Sequence, residues 1–499
     1  MMMRLFRLGG RAALLASVAV LAACASPNAN APRTVAAAPT ETAASKPPAT
    51  HRVASKPLVN VVYRKLENGL KVVLAPDPSV PTATVGVYYG VGWRVEPKDR
   101  TGYAHLFEHL MFQGSANLPK GEFMKLIEGN GGALNGSTRW DYTNYYEVVP
   151  SHLTETVLWA EADRMKSLAL TPEMLKNQQD VVINEVKVNV LNQPYGGFMW
   201  LDMPQAAFTN WYNAHNFYGD LDHLQAATLP EAEAFRQQYY APGNAALVIA
   251  GDIDVEKTWA WVQKYFGTVQ ARETGQMPDI SEPAQTEEKT VHRTDALAPR
   301  PALAFAYQVP PRGTPEWYAF GMIESLLQGG DDARLTQKLV REKGYTDGVM
   351  GGINPFLGGM FTYNGPMLMT FGLVHDASIE PNAIMTDVDV VIEQLRTELV
   401  PQDELNRILT RLRSGLYDMV GSSTRFSLMD LLASSALFDD DPAQVNRLEQ
   451  GFAAVTPELI RETAAKYLAR TNRTVLILEP GGAAPADAPA PAAAASEAK

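Results

Sequence analysis

A single cysteine in 499 residues excludes an intrachain disulfide and any zinc finger built on four cysteines or on two cysteines and two histidines. No apolar run approaches the roughly 20 residues that carry a helix across a bilayer. Positive charge is the minority: 43 Lys+Arg stand against 55 Asp+Glu, a net charge of −12. That balance argues against a nucleic-acid partner, which calls for a basic stripe. What the chain does have is 46% hydrophobic residues, enough for a sizeable core over roughly two to four domains. The expectation is a soluble, acidic, multi-domain protein.

The first residues read as an address. Arg4, Arg7 and Arg11 precede an apolar stretch from Ala12 to Ala23, too short for a membrane span but suited to a secretory signal. It ends in Leu21-Ala22-Ala23-Cys24, which resembles the lipobox of bacterial lipoproteins and implies cleavage before Cys24 and lipidation of that residue. Loss of 1–23 removes three arginines and no acid, taking the charge from −12 to −15. Residues 25–50 are Ala, Pro, Ser, Thr or Asn at 22 of 26 positions, a composition that cannot offset its ordering entropy. We read 24–55 as the lipidated cysteine and a flexible tether, and the Ala/Pro tail 481–499 as unstructured. Ala25 and Ser26 carry no retention signal, so the expected home is the periplasmic side of the outer membrane of a Gram-negative bacterium. Membrane contact is then through the lipid alone.

Between these ends, strand-like and helix-like segments alternate. Thr82–Gly90 and Ala245–Ala250 read as buried strands, Thr101–Gln113 and Pro150–Ser167 as helices, and Gly132–Tyr146 as a strand pair. A further helix is expected over Thr171–Asn192, opened by a Thr-Pro signal. Polar residues gather over 271–288, the expected linker between an N-terminal domain, 56–270, and a C-terminal domain, 289–480. The two halves close alike: Tyr239 precedes Asn244 before one apolar strand, and Tyr467 precedes Asn472 before another. The repeat offset of 228 residues is about half the folded length, as a duplicated domain requires.

The chemistry concentrates in Gly102-Tyr103-Ala104-His105-Leu106-Phe107-Glu108-His109-Leu110. With 8 His in the chain, an H-x-x-E-H spacing is expected about 0.008 times by chance. On a helix, His105 and His109 share one face a turn apart and offer two corners of a zinc tetrahedron. Glu108 shares that face and is placed to take a proton from an attacking water and pass it to a leaving amine. This order is the inverzincin signature. A catalytic zinc needs a third protein ligand. The other histidines, His51, His152, His215, His223, His292 and His375, are scattered and read as surface or satisfied polar groups.

The string VGVYYGVGWRVEPKDRTGYAHLFEHLMFQGS closely resembles the start of the M16 peptidases, the insulysin, pitrilysin and mitochondrial processing peptidase group. The likeness runs on through DVVINE, Asn192-Gln193-Pro194-Tyr195-Gly196 and Tyr240-Ala241-Pro242-Gly243-Asn244, covering some 425 residues. It implies an α+β fold of two tandem homologous α/β-roll domains, each a mainly antiparallel sheet covered by helices. It implies one Zn²⁺ per chain, held by His105, His109 and Glu185, with Glu108 as general base. It also implies that peptide substrates add as an extra strand along Leu134, Asn135, Gly136 and Ser137. Without the resemblance, that segment reads equally well as an ordinary strand ending in a Gly-rich turn.

Three departures matter. Relatives carry an Arg and a Tyr seven apart in the second half to hold substrate; Arg341 is present, but the later position is Gly348, and Tyr345 and Tyr363 lie out of register. Gln178 stands where relatives place an outer-shell glutamate, so we expect tuning there. The second half has no H-x-x-E-H. Family members work as chambers of four such domains, which implies a partner chain here: a homologous M16 subunit that supplies the Arg/Tyr pair, or a second copy. The reading is a zinc endopeptidase acting on peptides or unfolded segments in the periplasm as the catalytic half of such a pair. The alternatives are a self-sufficient homodimer and a non-catalytic assembly or peptide-binding lipoprotein.

Overall fold

A computed structural model describes residues 57–481. The signal segment, Cys24, the tether and nearly all of the tail lie outside these residues. Among the described residues no helix is long and apolar enough to cross a membrane.

The first half builds a six-stranded sheet from β1 (Val62–Lys65), β2 (Lys71–Pro76), β3 (Thr82–Tyr89), β4 (Ala133–Thr138), β5 (Thr143–Pro150) and β6 (Ala245–Gly251). Their order is β1-β2-β6-β3-β5-β4, so β4 lies at an open edge. Only β2 and β6 pair in parallel; the other ladders are antiparallel. Four helices carry the rest of the argument: α1 (Tyr103–Leu110), α2 (Thr154–Ser167), α3 (Pro172–Val186) and α4 (Leu229–Tyr239). Helix α3 starts where the sequence signals it, with Thr171 capping the Met174 amide and Pro172 in the first turn. It ends earlier than expected, at Val186. The chain continues as a π-helix, Lys187–Leu191, the kind of insertion that recurs at functional sites.

The second half repeats the design with β7 (Lys289–Asp295), β8 (Ala302–Gln308), β9 (Met350–Ile353), β10 (Leu368–Val374) and β11 (Arg473–Pro480), in the order β7-β11-β8-β10-β9. Here β7 and β11 make the parallel pair, matching β2 and β6. Its longer helices are α5 (Pro315–Gln328), α6 (Pro381–Thr397), α7 (Gln402–Gly421), α8 (Phe426–Asp439) and α9 (Pro457–Tyr467). The echoed Tyr and Asn do the same work twice: Asn244 Nδ2 donates to Tyr239 O at 2.9 Å, and Asn472 Nδ2 to Tyr467 O at 2.7 Å. Each amide ties the end of a helix to the start of the strand that follows. The α+β fold of two repeated units, expected from the resemblance, is the one observed.

Residues 271–288 contain no helix or strand, yet they are not a loose tether. Glu282 accepts hydrogen bonds from Thr209 N and Oγ1, Asn210 N and Asn213 Nδ2, which straps the segment to the first half. The halves also share a core. Leu428, Met429, Leu431, Leu432, Ala433 and Ala436 of α8 pack with Val73, Ala75, Tyr88, Ala246, Val248 and Ala250 of the first sheet. Each buried Leu contributes about 1.5–3 kcal/mol. Strand β6 is covered on both faces, so all seven of its residues are buried and no polar alternation shows in its sequence. Both ends of α8 are pinned by residues held at φ 57°: buried Arg425 donates to Asp77 Oδ2, and Asp440 accepts from Tyr63 and Lys65. In its middle Asp430 accepts from Tyr88 Oη at 2.8 Å.

Candidate metal centre

Helix α1 is short and lies behind the open-edged sheet, with six of its eight residues buried. It presents His105, Glu108 and His109 toward α3, which supplies Glu185. His105 Nε2 lies 3.6 Å from Glu185 Oε1 and His109 Nε2 lies 3.3 Å from Oε2. One donor atom from each of the three fits within 4.8 Å of the others, the one such group among the described residues. Ligands about 2.1 Å from a tetrahedral ion are separated by about 3.4 Å, so these spacings and two imidazoles with a carboxylate fit Zn²⁺.

The side chains differ in environment. Burial, with the neighbouring His109 charge, pushes His105 down to about 4, so its ring is neutral and ready to ligate. Burial also acts to lower His109, but its hydrogen bond to Glu185 and the charges of Glu108 and Glu185 outweigh that and hold it above the ordinary imidazole range. Glu185 is depressed: burial opposes this, but His109, His105 and the Tyr218 hydroxyl prevail. Glu108 is raised by burial, against the hydrogen bond it accepts from Thr138 Oγ1 at 2.7 Å. The Thr138 hydroxyl, at the end of β4, thus orients the proposed base. His109 and Glu185 keep about a fifth and a third of their side chains exposed, so the group opens to solvent on one side.

The segment expected to take substrate, Leu134 to Ser137, lies within the edge strand β4. A Cβ on Gly136 would meet the Phe112 ring at 3.1 Å and Asn144 O at 3.3 Å, and one on Gly132 would meet Val148 O at 2.8 Å. Both glycines make room for the protein's own packing, not for a second backbone. Asn135 is exposed, Leu134 and Ser137 are half-buried, and the Ser137 hydroxyl donates to Asn144 Oδ1 at 2.5 Å. Gln178 is 6% exposed, and its Nε2 donates to Asn177 Oδ1 at 2.8 Å.

Neither candidate tyrosine replaces the absent one at the metal group. Tyr363 is 1% exposed and accepts from Trp317 Nε1 at 2.8 Å, while Tyr345 donates to Asp387 Oδ2 at 2.8 Å. Arg341 sits exposed on a π-helix, Thr336–Glu342, in the second half and makes no contact with the metal group.

The tyrosine that does touch the group is Tyr218, in the first half. Its Oη donates to Glu185 Oε1 at 3.4 Å and its ring lies 5.2 Å from His105, as does that of Phe217. His105 Nδ1 is buried without a hydrogen-bond partner among the described residues, so these rings, and not a carboxylate, hold the imidazole. Glu96 was also missed. It is fully buried and accepts from Gly102 N at 2.8 Å and Ala104 N at 2.6 Å, at the start of α1. No spacing rule exposes Tyr218 or Glu96; a helix opening on a glycine without a capping side chain was the available hint.

Two repeated α+β units with a two-histidine, one-carboxylate group on the first define a metallopeptidase-type architecture. Comparison with known proteins gives the family. Residues 71–200 match the profile described as Insulinase (Peptidase family M16), and residues 226–412 match the Peptidase M16 inactive domain. The chain belongs to the M16 family. It is 26% identical over 428 residues to the zinc protease PqqE of Helicobacter pylori, covering 83% of this chain and 92% of that one. A crystal structure of a protease from Helicobacter pylori superposes with a TM-score of 0.78 at 24% identity, covering 85% of this chain and all of the other. The periplasmic protease PqqL from Escherichia coli superposes with a TM-score of 0.68 at 16% identity; the match covers 84% of this chain but 48% of PqqL. The inactive-domain profile falls mostly on the half that lacks the metal group.

Proposed function

We propose that this chain is a zinc-dependent endopeptidase that hydrolyses peptides or unfolded segments, with His105, His109 and Glu185 as the ligands of one zinc ion. The observation that carries this reading is the convergence of those three side chains beside Glu108 and the open edge of β4. When bound, zinc polarises the scissile carbonyl and acidifies water. The chain's own residues do the rest. An extended peptide pairs its backbone with β4, which gives affinity with little sequence demand. Glu108, steered by Thr138, accepts a proton from the attacking water and returns it to the departing amine. Tyr218 holds Glu185 in place through its hydrogen bond.

The same proposal includes a partner. The chain spans 48% of PqqL, as one half of a larger enclosure would. Val181, Val188 and Leu191, seven and then three residues apart on the segment that carries Glu185, are 41%, 48% and 56% exposed. A homologous subunit or a second copy lying over this row would cover it and bring an Arg and a Tyr to the substrate. The N-terminal signal and Cys24 support a lipid tether on the periplasmic face of the outer membrane.

The test is zinc content and cleavage of a pool of unstructured peptides by the chain from Lys56 onward, with Glu108→Gln as control. The expected result is zinc near one per chain and cleavage that depends on Glu108. Cleavage untouched by that substitution, or no zinc uptake, defeats the reading. Zinc without cleavage directs the work to co-purification of the partner.

A further inference from the structure

We infer that Glu96 and His215 form a buried ion pair that sets the first turn of the metal helix and so positions His105; this rests on the metal assignment above and adds residues outside the ligand set.

The opening N–H groups of any helix need acceptors. Helix α1 opens on Gly102, which has no side chain to offer, and both oxygens of Glu96 are spent on this turn. A buried carboxylate calls for a paired cation. His215 Nε2 lies 3.6 Å from Glu96 Oε2. The same nitrogen is 2.7 Å from Trp93 O, and Nδ1 is 3.1 Å from Trp211 O. Both ring nitrogens therefore face carbonyl oxygens, which only accept. A neutral imidazole has one N–H and would turn a lone pair toward a carbonyl; the imidazolium donates to both. The ring is 8% exposed and stacks on Trp211 at 4.1 Å with an interplanar angle of 4°.

The pair connects to the ligands through five residues. Gly219, at φ +70°, passes so close to the start of α1 that a Cβ would lie 2.3 Å from Gly102 N; a Cβ on Gly102 would lie 2.5 Å from Tyr218 O. The segment 215–219 is thus pressed onto the helix start. It carries His215 to Glu96, Phe217 and Tyr218 to the His105 ring, and the Tyr218 hydroxyl to Glu185. The counterpart helix α5 needs no such brace. Thr314 caps it locally, accepting from Trp317 N at 3.2 Å, and Pro315 sits in the first turn. A remote carboxylate with a buried histidine behind it is therefore more than helix formation requires, and it appears on the helix that bears the ligands.

The experiment uses the full chain. Zinc affinity, read by competition with a chelator, should weaken about 10- to 100-fold in Glu96→Gln and in His215→Gln. The double variant should be little worse than the weaker single one, because each change removes the same pair. Thr314→Ala, which uncaps the counterpart helix, should lose thermal stability yet bind zinc as the wild type does. In wild-type protein carrying ¹⁵N-histidine, both ring nitrogens of His215 should show an N–H signal, one for each carbonyl they face. A singly protonated His215, or folded variants with wild-type zinc affinity, overturns the inference. Failure of the wild type to take up zinc overturns the metal assignment instead, and is told apart because the ring-nitrogen signature is read without metal.

Discussion

The two halves share one plan of strands and differ in what the first α-helix after the central strand carries. In the first half, Glu108 of α1 accepts a hydrogen bond from Thr138, the last residue of the edge strand β4. In the second, Glu324 of α5 accepts from the amide of Ile353, the last residue of the edge strand β9, at 3.2 Å. The glutamates hold matching places. Around Glu108 stand His105 and His109; around Glu324, three residues before and one after, stand Gly321 and Ser325. The scaffold that positions a carboxylate beside a strand edge is therefore common to both, and the metal group is an addition to it. Where no metal or histidine attends, the carboxyl serves the backbone alone: burial raises Glu324 to about 7, with Ile353 pulling it down.

That contrast can be broken or sharpened by paired substitutions. Glu108→Gln should lower peptide turnover by about 10²- to 10⁴-fold while zinc stays bound; a loss confined to KM would show that Glu108 binds substrate without moving a proton. Its counterpart Glu324→Gln should leave turnover within about twofold and act on stability instead. The folded-state pKa of Glu324, about 7, lies above its ordinary 4.5. Its contribution is therefore whole below the lower value and is lost as pH rises through the higher one. The loss is at most about 3 kcal/mol, and smaller with the partial exposure of the group. Urea midpoints at about pH 5 and pH 8 should differ less in Glu324→Gln than in the wild type, the amide having no proton to lose.

Transplanting the histidines should fail. In Gly321→His/Ser325→His the new imidazole meets Met360 and Phe452, since even a Cβ at 321 would lie 2.8 Å from Met360 Sδ. We expect about 1–3 kcal/mol of destabilisation and no second zinc per chain by metal analysis. The smallest effect should be nearly symmetric: Asn244→Ala and Asn472→Ala each remove the side-chain bond to a helix-terminal carbonyl, at about 1 kcal/mol apiece in chemical denaturation, and Asn472→Ala also loses the bond to Gln308 O. A larger cost for Asn244→Ala would show that the repeat is topological and not energetic.

Much of this was legible beforehand because it is local. Thr171 and Pro172 announce α3, the apolar run of β6 announces a buried strand, and His105 and His109 lie one turn apart on any helix that contains them. Glu185 could be named only through resemblance, because its 76-residue separation from His109 carries no periodicity. Tyr218, Glu96 and His215 were invisible for a related reason. Their roles depend on the crossing of Gly102 and Gly219 in space, and glycines in a sequence do not say which backbone they approach. Tyr363 shows the converse: it looked available in the sequence and is buried against Trp317.

By itself the sequence determined the doubled plan and the chemical type of the candidate metal group, since each is written in short-range composition or spacing. The tertiary structure decided which carboxylate faces the imidazoles, which tyrosine supports it, how α8 locks the two halves on one core, and where the strand edge lies open. Those are long-range contacts, and their energies come from burial and from donors meeting acceptors, neither of which exists until the chain has closed on itself.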